Sequence, residues 1–184
     1  FTPAGMMFES AAAAVGAVVV PAGTGQTEMQ AIAMANLGVT VYAGTPDYLK
    51  AILEKGEALG LDLSSVTRAC VSAGPLFPAL RQDYEERGIT CRQCYGTADV
   101  GHIAYESLAL DGMIVDEGVI VEIVVPGTGI PVEDGQIGEV VDVLNPPGDR
   151  RLGGLDGVEP LLAQMGEAVG NPIDVLLDRR DHVG

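Results

Sequence analysis

Val39-Thr40-Val41-Tyr42-Ala43-Gly44-Thr45-Pro46-Asp47-Tyr48-Leu49-Lys50-Ala51-Ile52-Leu53 passes from a β-branched run through a small-residue turn into a helical pattern. β-Branched and aromatic side chains suit a pleated strand. Thr45 offers an N-cap, Pro46 a preset first-turn dihedral and Asp47 a carboxylate at the positive end of the helix. Leu49, Ile52 and Leu53 then share one helical face and are expected in the core, while Gly56 lowers the helix propensity. The same alternation recurs on both sides. Gly16-Ala17-Val18-Val19-Val20 leads through Pro21-Ala22-Gly23-Thr24-Gly25 into a helix expected from Glu28 to Leu37. Val66 to Val71 leads through Ser72-Ala73-Gly74-Pro75 into a helix from Phe77 to Arg87, closed by Gly88, and Ile89 to Cys94 runs into Tyr95-Gly96-Thr97. Strands alternating with helices imply parallel crossovers, so the fold class is α/β, an open mostly parallel sheet with flanking helices.

The rhythm changes near Ile103. Ile103-Ala104-Tyr105, Met113-Ile114-Val115, Val119 to Val125 and Glu139 to Leu144 read as strands separated by Asp111-Gly112, Pro126-Gly127-Thr128-Gly129 and Asp134-Gly135, an antiparallel β flap. The expected division is an α/β subdomain over 1–102, the flap over 103–145 and a tail over 146–184, with one helix in the tail from Val158 to Met165. An exposed apolar face on the flap would favour a homodimer.

Composition narrows the function classes. The 184 residues are 47% hydrophobic, enough for a packed core, and no run approaches a membrane span. A net charge of −16 repels a nucleic acid backbone, and the ten basic residues form no stripe. The same charge repels a nucleotide, so a phosphate site would need backbone N–H groups, a metal ion or residues from elsewhere. Cys70, Cys91 and Cys94, odd in number and sparse, favour a reducing compartment and hence the cytoplasm.

In a parallel sheet the strand-to-helix loops emerge at one edge, where open α/β folds bind ligands. Four loops are expected there: Ala22 to Gly25, Gly44-Thr45, Ser72 to Pro75 and Tyr95 to Asp99. Ser72-Ala73-Gly74-Pro75 lacks bulk and admits a flat ring, Tyr95 offers an aromatic face, Thr97 a hydroxyl for a phosphate oxygen and Asp99 a carboxylate suited to Mg²⁺. The plainer alternative is that the small residues close turns and Tyr95 caps the core.

Tyr95-Gly96-Thr97-Ala98-Asp99 resembles the Tyr-Gly-x-Thr/Ser-Glu motif of adenylate-forming enzymes, with Thr directly after Gly and Asp in place of Glu. Thr2-Pro3-Ala4-Gly5, Val20 to Glu28, Ser72 to Pro75 and Val119 to Ile123 followed by Pro126-Gly127-Thr128-Gly129 resemble, in that order, phenylacetate-CoA ligases and their relatives over about residues 1–145. The resemblance implies an ATP-dependent activation of a carboxylic, by family an aromatic, acid as acyl-adenylate, followed by transfer to coenzyme A. It implies adenine at Ser72, Ala73, Gly74, Pro75, Tyr95 and Gly96, the AMP phosphate at Thr97 and Mg²⁺ at Asp99. Thr97 and Asp99 would be the catalytic residues. Gly148-Asp149 resembles in part the family's ribose-binding Thr-Gly-Asp, with Pro147 where Thr stands, and a solvated turn is the alternative. The family's Lys-bearing phosphate loop and C-terminal domain have no counterpart within 1–184, so the chain by itself is expected not to catalyse.

Other features weigh less. Cys91-Arg92-Gln93-Cys94 suggests a redox or zinc pair, but residues three apart on a strand point to opposite faces. His102 could orient a substrate or bind a metal, or be an ordinary polar contact. Arg179-Arg180-Asp181 resembles the family's hinge or is a charged terminus. Rival functions are a noncatalytic nucleotide-binding or interaction module of this fold, and a doubly wound oxidoreductase. The latter lacks Gly-x-Gly-x-x-Gly after its first strand.

Overall fold

The computed structural model describes residues 3–110, 112–144 and 175–178. They fall into two compact units, one formed by residues up to 93 with 175–178, the other beginning at residue 94. In chain order the first unit carries α1 (Pro3–Ala14), β1 (Val18–Val20), α2 (Thr27–Leu37), β2 (Val41–Gly44), α3 (Pro46–Ala58), β3 (Arg68–Val71) and α4 (Pro78–Glu86). β4 (Thr90–Thr97) begins in it and ends in the second, which continues with β5 (Gly101–Glu106), β6 (Met113–Val115), β7 (Val119–Val124) and β8 (Glu139–Leu144). β9 (Val175–Asp178) returns to the first unit.

The first unit's sheet has the order β1-β9-β2-β3-β4. β2, β3 and β4 pair in parallel, with Val41 opposite Arg68 and Arg68 opposite Thr90. β9 is antiparallel to both β1 and β2, so β1 points the same way as the parallel strands. The sheet is therefore mostly parallel, as expected, with one reversed strand inside it. The residues of β9 belong to the segment expected as a tail; their placement between β1 and β2 is a pairing across more than a hundred residues that no local pattern announces. The second unit is antiparallel: β4 pairs with β5, β5 with β6, and β7 with β8. The four strands read beyond residue 100 are all present.

Helix boundaries follow the local chemistry. α3 starts at Pro46 behind an extended Thr45, and its Leu49, Ile52 and Leu53 are buried. Gly56 is buried too, and a Cβ there would collide with the Leu63 side chain. The propensity lost in the helix thus permits close packing of the returning chain. α1 was not anticipated. Its sequence is rich in alanine and shows no apolar stripe, so helicity leaves no periodic signature.

Met34, Val39, Tyr42, Leu49, Ile52, Val66, Val71 and Tyr84 are fully or almost fully buried in the first unit's core. Each such side chain contributes about 1.5–3 kcal/mol relative to exposure. The two tyrosines bring hydroxyls that need partners: Tyr42 donates to the Thr45 carbonyl at 3.1 Å, and Tyr84 donates to the Pro46 carbonyl. Burial raises the Tyr84 phenol far above its ordinary range, so it stays a donor. These bonds fix the start of α3 from below and from the side. Tyr84→Phe is expected to destabilise the protein by about 1–3 kcal/mol, because a buried carbonyl loses its donor. The midpoint of urea unfolding, followed by circular dichroism, should fall with little change in slope; an unmoved midpoint would show that the bond carries no net stability.

Candidate functional site

Three of the four loops expected at the ligand edge lie in the first unit, and the first turn of α3 ties them together. The Ser72 N–H donates to the Gly44 carbonyl at 3.0 Å, and Gly74 lies against the Pro46 ring. The Tyr48 hydroxyl donates to the Gly25 carbonyl at 2.6 Å. Gln30, buried at 3% exposure, donates through Nε2 to the carbonyls of Gly23 at 3.1 Å and Gly25 at 2.8 Å. The loop at 22–26 thus turns its carbonyls toward α2 and α3, as the strand-to-helix turn it was expected to be. Sequence reasoning passed over Tyr48 and Gln30 as anchors. The available signal was Gln30 itself, a polar residue beside the buried Ala31 and Met34.

Residues 72–75 are half-buried. Ala73 adopts a left-handed backbone at φ 60°, unusual for a residue with a Cβ. The Leu76 N–H donates to Gln93 Oε1 at 3.3 Å, which fixes the far end of the loop to β4. Small side chains in a loop held at both ends present backbone atoms closely and without reorganisation.

The second unit holds Tyr95, Gly96, Thr97 and Asp99, and here the local structure differs from expectation. Tyr95, Gly96 and Thr97 are not in a strand-to-helix loop: they complete β4, which turns at 98–100 into β5. Tyr and Thr favour strands, and pairing with β5 overrides the break suggested by Gly96. That glycine permits the hairpin, since a Cβ there would lie 2.6 Å from the Gly101 carbonyl oxygen. Tyr95 and Thr97, two apart on a strand, share one face. Tyr95 is half-buried and packs on the second unit's core beside Ile103 and Ala104. Thr97 Oγ1 accepts the Val100 N–H at 3.2 Å, so its own proton is left to donate outward. Asp99 is exposed in the turn. A single accessible carboxylate is what Mg²⁺ takes from a protein when water and phosphate oxygens complete its shell, so the donor chemistry fits. Among the described residues no group of three His, Cys, Asp or Glu closes around a metal ion.

His102 lies in a side-chain cluster. Nδ1 is 3.4 Å from Asp116 Oδ2, and the ring stacks on Tyr105 with centroids 5.5 Å apart. A hydrogen bond to the Cys94 sulfur raises its pKa, burial opposes this, and the Asp116 carboxylate adds to the rise. Cys70, Cys91 and Cys94 form no disulfide. Several of the described cations have partners of their own: Lys50 pairs with Glu54 at 3.8 Å, Arg87 with Glu57 and with Asp83, while Arg81 and Arg92 both donate to the Cys91 carbonyl. A cavity of about 240 Å³ lies at the other end of α3, lined by Leu53, Leu63 and Arg87 among others, away from the loops. Asp149, the helix expected from Val158 to Met165, and Arg179-Arg180-Asp181 lie outside the described residues. No helix among the described residues is long and apolar enough to cross a membrane.

Comparison with known proteins sets these observations in a family. The chain is 35% identical over 135 residues to the phenylacetate-coenzyme A ligase of Escherichia coli (strain K12), covering 69% of the chain and 31% of that protein. It is 32% identical over 134 residues to the enzyme of the same name from Aromatoleum evansii, covering 69% and 30%. The chain thus spans about a third of the length of these relatives. Its fold is similar to that of a 2-hydroxyisobutyryl-CoA ligase solved with 2-HIB-AMP and CoA, at a TM-score of 0.57 and 19% identity over 65% of this chain and 30% of that one. An anthranilate CoA ligase solved with anthranoyl-AMP gives a TM-score of 0.53 at 18% identity over 64% and 24%. Residues 1–142, which include the three clamped loops, the whole of β4 and the β4–β5 turn, match the family described as AMP-binding enzyme, and the chain belongs to that family.

Proposed function

We propose that this chain is the adenylate-holding part of an ATP-dependent ligase that activates a carboxylic acid, an aromatic one by analogy with its named relatives, and transfers it to coenzyme A. The observation that carries the reading is the family match over the segment in which Tyr95 and Thr97 share a face of β4 and Asp99 stands exposed just beyond it. A carboxylate oxygen attacks the α-phosphorus of ATP and pyrophosphate leaves. The thiol of coenzyme A then attacks the acyl carbon, and AMP departs with the electron pair of the broken C–O bond. Activation is needed because a free carboxylate has no adequate leaving group.

Residues 72–75 and Tyr95, with Gly96, are assigned to the adenine, the small side chains admitting a flat ring and the phenol ring stacking on it. Thr97 is assigned to the α-phosphate: Val100 engages one lone pair of its oxygen and leaves the hydroxyl proton for a phosphate oxygen to accept. Asp99 is assigned to Mg²⁺, which when bound neutralises charge on the phosphates. Asp149 is assigned to the ribose on the family resemblance. The division of labour follows the segments 1–102, 103–145 and 146–184, with the nucleotide contacts concentrated in the first.

Tyr95→Ala and Thr97→Ala are each expected to weaken AMP binding on the order of tenfold, the loss of one stacked ring or one charge-assisted hydrogen bond. Calorimetric titration with AMP reads this directly, and unchanged affinities would remove both residues from the site. In the intact enzyme Asp99→Asn should raise the Mg²⁺ concentration needed for half-maximal AMP release, with metal-free AMP affinity left intact. An identical Mg²⁺ profile would take Asp99 out of that role.

Residues 1–184 alone are expected to make no thioester at a useful rate. Adenylation gathers negative charge on the phosphates and the attacking carboxylate, and this chain already carries a net charge of −16. Both of its lysines, Lys50 and Lys55, lie on α3. An assay with ATP, Mg²⁺, coenzyme A and a panel of aryl and alkyl acids, following AMP and thioester together, decides this. Coupled formation of both would show that cations beyond those of this chain are dispensable.

A further inference from the structure

The pairing of β4 with β5 carries an irregularity with chemical content. Cys94 pairs with Tyr105 and Tyr95 with Ala104, but Gly96 pairs with His102, so Ile103 is an extra residue on β5. In a regular strand, positions 102 and 105 would face opposite sides. The bulge reverses that: Ile103 and Ala104 both enter the second unit's core, while His102 and Tyr105 emerge together on the face that also carries Cys94 and Gly96. The stacking of His102 on Tyr105 is the visible result.

β6 supplies the third member. Val115 pairs with Ala104, and the next residue, Asp116, donates its N–H to the Ile103 carbonyl at 2.8 Å. Its carboxylate is divided between two tasks. Oδ1 accepts the Gly118 N–H at 2.8 Å, which fixes the side chain, and Oδ2 faces His102 Nδ1 at 3.4 Å. The sequence Cys94, His102, Asp116 thus forms a chain of thiol, imidazole and carboxylate, each on a different strand or strand end of one antiparallel sheet. It lies on the opposite face of β4 from Tyr95 and Thr97, so the proposed nucleotide chemistry does not use it.

From this arrangement we infer that Cys94 is an activated thiol and a site of oxidation by hydrogen peroxide, with His102 as its proton partner and Asp116 orienting the imidazole. The thiol proton passes to His102, leaving a thiolate beside an imidazolium. The thiolate attacks one peroxide oxygen, the S–O bond forms and the O–O bond breaks. The departing hydroxide takes the His102 proton and leaves as water. Sulfur is oxidised by two electrons to a sulfenic acid and the peroxide is reduced by the same two. The imidazole held above its ordinary pKa by the Cys94 and Asp116 contacts is consistent with this proton path. Cys94 is 6% exposed and Cys91 2% exposed on the same strand, so entry is limited to small oxidants, and Cys91, whose electrostatic neighbour is the Tyr84 phenol, serves as the control.

The test treats the intact protein with hydrogen peroxide in the presence of dimedone and follows each cysteine by peptide mass spectrometry, folded and in urea. Cys94 is expected to be trapped about tenfold faster than Cys91 in the folded protein, reflecting a larger thiolate fraction, and at a similar rate in urea. His102→Gln should bring Cys94 down to the rate of Cys91, and Asp116→Asn should slow it several-fold. A folded-state ratio near unity, or a His102→Gln protein that retains the tenfold preference, overturns the inference. Should His102→Gln fail to fold, the ratio of Cys94 to Cys91 in the unsubstituted protein, folded against unfolded, still decides it.

Discussion

The backbone hydrogen bonding of β4 is the constraint on which the rest depends. Its first half, Thr90 to Gln93, is held in parallel by β3, and its second half, Cys94 to Thr97, in antiparallel by β5. A strand with a different partner along each half has its register set twice. Every residue of interest on it inherits its orientation from those two ladders, because successive side chains alternate between faces. Tyr95 and Thr97 owe their common face to the second ladder, and Gln93, which receives the Leu76 N–H, owes its position to the first.

The start of α3 plays a comparable part in the first unit. Its first turn receives hydroxyls from Tyr42 and Tyr84 and, through Tyr48, reaches the loop at 22–26. The loop at 22–26 is held by the half-buried Tyr48 and the buried Gln30, and the start of α3 by the buried Tyr42 and Tyr84, without any ligand. Less of the binding free energy is then lost to conformational entropy. For the polyanionic ligand proposed above such rigidity matters, since a strongly acidic chain has little long-range attraction to offer it.

Much of this was legible in the sequence. The strand-turn-helix repeat located β2, α3, β3 and α4 to within a few residues, because strong caps such as Thr45-Pro46 and one-sided apolar patterns such as Leu49, Ile52 and Leu53 are local signals. The antiparallel strands from β6 to β8 were legible for the same reason, their ends marked by glycine turns. What escaped is non-local or aperiodic. α1 buries no regular stripe, and β9 joins a sheet whose neighbours lie far away in sequence. The continuation of β4 through Thr97 depends on β5. The candidate nucleotide residues were named from a motif read as a loop after a strand, whereas Tyr95 to Thr97 complete the strand itself. The partners of His102 were illegible, since nothing in Gly101 to Glu106 reveals that one residue stands outside the ladder.

That supernumerary residue, Ile103, adds a side chain to the hydrocarbon interior without disturbing the outer face of β5. Loss of that one residue would restore a regular ladder and leave the imidazole where it is, since His102 and Tyr105 would then stand two apart and share a face by plain alternation. Among related chains, a gap at this point in an alignment would therefore mark a thinner core beneath an unchanged sheet surface.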